Sequence, residues 1–376
     1  MTLDRAPLRL EPSYCRQRQQ AVRSLLDRLK VDRAVLVRPE HVQYLTGFRP
    51  HRLMTAAVSL DVDGFCLLVA PNRAPDSAAA DRVVCFEAQW HSTLRQDQST
   101  AAAEALRHAV VQRPAARRIA VEWSAFGPHM RAAAAAAGEA ELVDIEPELW
   151  SLRRRKYPDE LAMIRRAIDC TEAMYAHART IVRPGVTEIE VFNALHAVAV
   201  DVAGEPLSDL GNDYQCASPG GPPRSRAAQA GELFILDLGP AYRGYYADNC
   251  RTFAVDGRPT AEQLAAWRHI TDVLAVFEQT ARAGVRCRDL FNRAQTMLDA
   301  YRPGAFHHHL GHGFGLFPHE APHLNPNWND TLDEGDVVTV EPGLYGPELR
   351  AGIRIEQDYR VTADGVERLT AYPTEL

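Results

Sequence analysis

Apolar and polar positions along the first 150 residues repeat with both helical and strand periods. Residues 14–30 carry apolar side chains at helical spacing, and the short apolar runs 34–39 and 117–122 predict strands. Two further apolar runs meet at the Asp-Gly pair 63–64, which predicts a hairpin. The alanine-rich segment 129–138 predicts a helix that Gly138 ends. Helices and strands in this alternation predict an α/β domain.

The remaining residues follow a different pattern, in which pairs of helices are separated by strand pairs. Pro158, followed by two acidic residues, predicts the start of a helix. Thr187 and Glu190 form a capping box that predicts the start of a second helix. A second helical pair is predicted at 260–284 and 287–301. Helix pairs and hairpins without a regular βαβ order predict an α+β domain.

Length and charge support two domains, which we place at residues 1–150 and 151–376. The net charge is −7 with both signs interspersed, so no nucleic-acid partner is predicted. The short basic run Arg153–Lys156 is expected on a solvated face or at the domain junction. No segment approaches about 18 continuous apolar residues, and the first residues lack an apolar signal region, so no membrane partner or signal peptide is expected.

The seven cysteines are scattered and form no CxxC pair. This pattern supports neither a zinc site nor a disulfide framework. Free thiols are typical of a reducing compartment, so we expect a cytoplasmic protein.

The first candidate chemistry lies in residues 234–252, FILDLGPAYRGYYADNCRT, where two runs flank a turn. A turn between Tyr242 and Arg243 would place Asp237 directly opposite Asp248. Opposed side chains lie about 5 Å apart at Cβ. Two carboxylates this close repel each other unless a cation lies between them, and hard divalent cations bind carboxylate oxygens. The alternative is a pair of surface aspartates, but Asp237 lies within an apolar strand, where unpaired charges are rare.

A second group of candidates lies between residue 307 and residue 356. The segment HHHLGHGFGLFPHEAPH carries six histidines, of which His312, between two glycines, is predicted to bind a metal. His307 and His323 are expected at the surface or in packing. A second hairpin can place Glu341 opposite Glu356.

Four carboxylates and one histidine offer more oxygen donors than tetrahedral zinc usually takes. They suit two divalent ions that share bridging carboxylates, with manganese favoured and cobalt or zinc as alternatives. Two ions about 3.5 Å apart can activate a water and polarise a carbonyl. The alternative for each acid alone is a surface ion pair.

These residues resemble the creatinase, aminopeptidase P, prolidase and methionine aminopeptidase family. The stretch VQYLTGF resembles the N-terminal domain of the creatinase and proline-peptidase branch, and LRRRKYPDELAMIRRA resembles the start of the catalytic domain. The resemblance implies a pita-bread α+β catalytic domain preceded by a creatinase-like α/β N-terminal domain. It also implies a small peptide substrate and a homodimer.

The resemblance implies roles for individual residues. Asp237 would bind one metal, His312 and Glu341 the other, and Asp248 and Glu356 would bridge both. His308 and His319 would face the substrate and stabilise the tetrahedral intermediate, with Arg354 beside the bridging glutamate as a substrate-binding residue. The implied reaction is hydrolysis of Xaa-Pro bonds by a metal-activated water, with Glu341 moving the proton.

One feature departs from the family pattern. The peptidases usually carry a further histidine in the loop before the first metal-binding strand, but no histidine occurs between His196 and His269. Arg224 or Arg226 is the candidate for a substrate contact in its place, although a guanidinium cannot act as an imidazole would.

Two other functions fit parts of the pattern. A creatinase-type hydrolase of a small amidine compound works without metal, so the complete ligand set argues against it. A non-catalytic interaction module on the same fold would be expected to lose ligands. Metal content and Xaa-Pro dipeptide turnover separate all three.

Overall fold

The computed structural model describes residues 7–134, 140–211 and 213–376. Within these residues the chain forms two compact units, one over Arg9–Leu152 and the other built mainly from Arg153–Leu376. Among the described helices, none is both long enough and apolar enough to cross a membrane.

The first unit is built around one mixed sheet. Its helices are α1 (Pro12–Leu29), α2 (Pro39–Thr46), α3 (Gln98–Val110) and α4 (Pro128–Ala134), and α5 (Glu146–Arg154) runs into the second unit. Its strands are β1 (Arg33–Leu36), β2 (Ala57–Asp61), β3 (Cys66–Pro71), β4 (Arg82–Phe86), β5 (Gln89–Trp90), β6 (Thr93–Leu94), β7 (Arg118–Val121) and β8 (Glu141–Asp144). The sheet order is β4-β3-β2-β1-β7-β8.

The elements predicted for this unit are present. β2 and β3 pair antiparallel around Gly64, which has a positive φ of 101° as its turn requires. β1 pairs in parallel with β7, and apolar side chains of these strands pack with α3 and α4 in one core. The predicted alanine-rich helix is described only to Ala134, because residues 135–138 lie outside the described residues.

The second unit contains two helix pairs and antiparallel sheets. Its helices are α6 (Pro158–Ile181), α7 (Glu188–Ala203), α8 (Ala261–Thr280) and α9 (Cys287–Asp299), with a 3₁₀ turn at Pro347–Leu349. Its strands are β9 (Asp213–Cys216), β10 (Leu233–Leu238), β11 (Ala241–Tyr242), β12 (Tyr245–Tyr246), β13 (Asn249–Ala254), β14 (Gly311–Gly313), β15 (Glu320–Leu324), β16 (Val337–Val340), β17 (Gly343–Gly346), β18 (Ala351–Arg354), β19 (Gln357–Val361) and β20 (Val366–Arg368).

The sequence signals for the helix starts are confirmed. α6 begins at Pro158, and the capping box of α7 is formed in both directions. The Thr187 hydroxyl accepts a hydrogen bond from the Glu190 N–H at 3.2 Å, and the Glu190 carboxylate accepts one from the Thr187 N–H at 2.8 Å. β9 was not predicted, because it lies inside a loop rich in Gly and Pro.

The register of the first predicted hairpin is wrong by two residues. Asp237 pairs with Cys250 rather than Asp248, and Asp248 directly precedes β13. The physical reason is the position of the turn. Arg243 and Gly244 both have positive φ, 49° and 88°, so they form the centre of a two-residue turn between β11 and β12.

The predicted register of the second hairpin is confirmed on both sides of its acids. Val340 pairs with Gln357, and Gly343 pairs with Arg354. Glu341 and Glu356 lie between these two ladders in the same register, one residue beyond Val340 and one before Gln357. The strand pairing on both sides therefore places Glu341 opposite Glu356.

Of the two expectations for Arg153–Lys156, the domain junction agrees with the division of the units between Leu152 and Arg153. A solvated face is wrong for two members of the run. The side chains of Arg153 and Lys156 are buried, and both bind Glu320. Arg154 binds Asp336 at 2.7 Å. Acidic partners more than 160 residues away in the sequence account for this burial.

Candidate metal and catalytic site

A polar cavity of about 300 Å³ lies within the second unit. The five side chains predicted as metal ligands all line it, with seven others. The lining residues are Pro219, Asp237, Asp248, His307, His308, His309, His312, His319, Glu341, Tyr345, Arg354 and Glu356.

Three of the predicted ligands form an acidic cluster. Asp237 lies in β10, Asp248 precedes β13, and Glu356 lies between β18 and β19. One carboxylate oxygen from each lies within 4.8 Å of the others. Burial and the neighbouring charges raise the pKa of Asp237 to about 6 and raise the pKa values of Asp248 and Glu356 well above their usual range.

This cluster fits a cation. Within the described part of the chain, Glu356 Oε2 is buried and has no hydrogen-bond partner. A buried carboxylate oxygen without a donor is costly, and a divalent ion would both bind it and offset the mutual repulsion of the three acids.

His312 and Glu341 complete the predicted ligand set. His312 Nε2 lies 3.4 Å from Asp248 Oδ2 and 3.5 Å from Glu341 Oε1. Its Nδ1–H donates to the Gly313 carbonyl at 3.0 Å, which leaves the Nε2 lone pair facing the acids. Burial lowers the pKa of His312 to about 3, so the imidazole is neutral, as metal binding requires.

Arg354 lies next to the acidic cluster and forms hydrogen bonds with four residues. Its Nη2 donates to Asp237 Oδ2 at 2.7 Å and to Asp213 Oδ2 at 2.5 Å. Its Nη1 donates to the Tyr345 hydroxyl and to the Pro219 carbonyl, each at 3.3 Å. Arg354 therefore orients Asp237 and joins it to β9.

The two histidines predicted to face the substrate are both at the cavity. His308 Nε2 lies 2.9 Å from the Tyr345 hydroxyl, and burial lowers the pKa of His308 to about 4. The exposed His319 stacks on His312, with ring centroids 3.7 Å apart and planes inclined by 18°. Both imidazoles therefore line the same cavity as the acids.

Three residues at the site were missed by sequence reasoning. His307, which was expected at the surface or in packing, is exposed and also lines the cavity. His309 lies 2.7 Å from Glu341 Oε1 and Tyr345 contacts His308, while Asp213 binds Arg354. The run of three histidines and the position of Tyr345 after Glu341-Pro-Gly were available signals, whereas nothing in the sequence marks Asp213.

The structure does not bring Arg224 or Arg226 into the cavity lining. Arg224 binds Glu188 through Nε at 2.9 Å and Nη2 at 2.6 Å. Arg226 binds Glu232, with one contact at 2.9 Å. Each guanidinium is already paired with a carboxylate, and no local sequence pattern predicts either pair.

Comparison with known families agrees with this arrangement. Residues 162–363 match the model of metallopeptidase family M24, and residues 18–155 match the creatinase/prolidase N-terminal domain. The chain belongs to metallopeptidase family M24 and is a two-domain peptidase.

Individual relatives extend over most of the chain. Uncharacterized peptidase YqhT of Bacillus subtilis is 27% identical over 362 residues, which cover 95% of this chain and 98% of the relative. The structure of an Xaa-Pro dipeptidase from Bacillus anthracis is 25% identical with a TM-score of 0.81, covering 96% of this chain and 99% of that one. The structure of a prolidase from Pyrococcus furiosus has the same fold, with 24% sequence identity and a TM-score of 0.77. The match covers 93% of this chain and 99% of the prolidase.

Proposed function

We propose that this metallopeptidase hydrolyses Xaa-Pro bonds, as an Xaa-Pro aminopeptidase or dipeptidase. The observation that carries the proposal is the convergence of five side chains on one cavity with four further histidines. The five are Asp237, Asp248, His312, Glu341 and Glu356. The similarity to an Xaa-Pro dipeptidase structure over nearly the whole chain supports the substrate class.

In this proposal the five converging side chains would hold two divalent ions. Asp237 would hold one ion, His312 and Glu341 would hold the other, and Asp248 and Glu356 would contribute to both. When bound, the ions supply an activated water and polarise the scissile carbonyl. Manganese is the proposed metal because the donors are mainly carboxylate oxygens, with cobalt or zinc as alternatives.

The remaining roles belong to side chains of the cavity. Glu341 takes the proton of the attacking water and returns it to the leaving amine. The exposed His319 donates an N–H to the developing oxyanion. His308, which contacts the Tyr345 hydroxyl, helps to stabilise the same oxyanion. Arg354 keeps Asp237 ionised and oriented rather than binding substrate directly, because its contacts with Asp237 and Asp213 occupy its Nη2.

The setting of the enzyme is also part of the proposal. The seven cysteines are unpaired, which supports a reducing cytoplasm. A homodimer is proposed from the family resemblance.

The test is hydrolysis of paired dipeptides by the protein loaded with Mn²⁺. We expect cleavage of Ala-Pro and Met-Pro, little cleavage of Ala-Ala, and loss of activity with a chelator. Activity on Ala-Ala equal to that on Ala-Pro, or activity that a chelator leaves unchanged, would contradict the proposal. Turnover of a small amidine compound without metal would favour the creatinase-type alternative.

A second arm distinguishes the two peptidase types. A dipeptidase cleaves Ala-Pro but neither Ala-Pro amide nor Ala-Pro-Ala, because it requires the free carboxylate of proline. An aminopeptidase cleaves all three.

A further inference from the structure

His319 reaches the cavity at the end of the turn that joins β14 to β15. The His312 ring, on which His319 stacks, belongs to β14 at the start of this turn. Glu320 follows His319 directly and pairs with Gly313 across the β14–β15 ladder, where the register shifts. The place of the His319 ring therefore depends on how the turn 314–319 is held.

The Glu320 carboxylate holds this turn from inside the protein. Its Oε1 accepts a hydrogen bond from the Phe317 N–H at 3.1 Å. The same carboxylate binds Arg153 Nε at 3.3 Å and Lys156 Nζ at 3.2 Å. The side chains of all three charged residues are at most 5% exposed. Two cations thus fix both oxygens of one buried acid.

The two cations also pack on the turn itself. The Arg153 guanidinium lies 4.7 Å from the centroid of the Phe317 ring. Lys156 fills the space beside Gly315, where an added Cβ would lie 2.8 Å from Lys156 Cε. The segment 153–156 therefore contacts Gly315 and Phe317 within the turn and Glu320 directly after it.

Stability alone gives little reason for this buried network. Replacing buried ion pairs by apolar side chains of similar volume is often neutral or stabilising, because desolvation of the charges is costly. What such a network provides is a defined geometry, and here the geometry is that of the segment that ends at His319.

We propose that Arg153 and Lys156 are positioning residues that act through Glu320 to hold the His319 ring against His312 at the cavity. The catalytic consequence rests on the proposed function, whereas the placement of the ring does not. A displacement of about 1 Å at a catalytic group can cost about a hundredfold in rate.

The test uses Lys156→Met, Arg153→Met and Glu320→Gln, with Arg154→Met as the matched control. Arg154 is adjacent in sequence and also forms a largely buried ion pair, but with Asp336. Because loss of one partner leaves an uncompensated charge, the double variant Lys156→Met/Glu320→Gln is included as well. It keeps the charge of the trio at +1, since one positive and one negative charge are removed together.

The first readout is the imidazole proton spectrum of the full-length protein loaded with diamagnetic Zn²⁺, because Mn²⁺ is paramagnetic and would broaden these signals. Stacked rings shift each other's protons by ring currents, and His319→Gln assigns the signals. We expect the shifted signals to be lost in the network variants, the double variant included, and kept in Arg154→Met. Retention in the network variants, or equal loss in Arg154→Met, would overturn the proposal.

The second readout measures kcat and KM on Ala-Pro and, separately, the number of metal ions bound per chain. In the network variants we expect kcat to fall about a hundredfold, KM to change by less than about threefold, and metal stoichiometry to be unchanged. Loss of metal in step with kcat would mean that the network supports the whole site rather than His319. If the wild type cleaves no Xaa-Pro bond, the proposed function fails, and the ring-current comparison alone decides the positioning.

Discussion

At the scale of single residues, the partner of each arginine decides what that arginine does. Arg354 contacts Asp237 at the cavity, while Arg224 and Arg226 contact Glu188 and Glu232. The sequence analysis names all three as candidates for a substrate contact, Arg354 through the family resemblance and Arg224 and Arg226 in place of the missing loop histidine. The structural role of Arg224 could not be predicted from the sequence, because its partner Glu188 lies 36 residues away at the start of α7.

Arg224→Ala is predicted to affect stability rather than catalysis. The Glu188 side chain is fully buried, and Arg224 supplies two of its side-chain donors. Loss of these donors should lower the free energy of unfolding by about 2 kcal/mol, measured by urea denaturation, and leave kcat/KM on Ala-Pro within about twofold. The exposed Arg258, changed to Ala, is the control and should change neither. A large loss of turnover with unchanged stability would restore the substrate-binding hypothesis for Arg224.

At the scale of elements, the position of each turn sets the register of its hairpin and so determines which acidic residues lie opposite each other. The second hairpin was predictable because residues 352–361 alternate around Glu356 and pair with the continuous apolar run that ends at Glu341. The first was misplaced because Arg243 adopts a left-handed conformation that a non-glycine residue rarely adopts. β9 was missed because its pairing with β10, rather than its composition, makes it a strand.

Gly244→Ala is predicted to destabilise the first hairpin and weaken metal binding. Gly244 has a φ of 88°, and a left-handed conformation costs an L-residue about 1–2 kcal/mol. Because the turn sets the position of Asp248, Mn²⁺ affinity measured by calorimetry should fall as well. Gly127→Ala is the control, since an added Cβ there meets nothing within 4 Å. Unchanged unfolding and unchanged Mn²⁺ affinity in Gly244→Ala would contradict the turn assignment.

At the scale of the whole molecule, the two units match two separate family models, and the cavity belongs to the second. The fold class, and the five candidate ligands that line the cavity, could be predicted because caps, hairpins and the His-Gly pattern are local signals. The contacts of Asp213 with Arg354 and of Glu320 with Lys156 could not be predicted. They join positions 141 and 164 residues apart, and only the tertiary fold brings such groups together.

In the proposed site, Asp248 and Glu356 are shared by two divalent ions. Counting Mn²⁺ ions per chain in the wild type, Asp248→Asn and Glu356→Gln, by equilibrium dialysis and elemental analysis, tests this sharing. The control is Asp330→Asn, which alters an acid that pairs with His323. We predict up to two ions in the wild type and the control, and loss of most of both in each of the other variants. Unchanged stoichiometry in Asp248→Asn or Glu356→Gln would contradict the shared site.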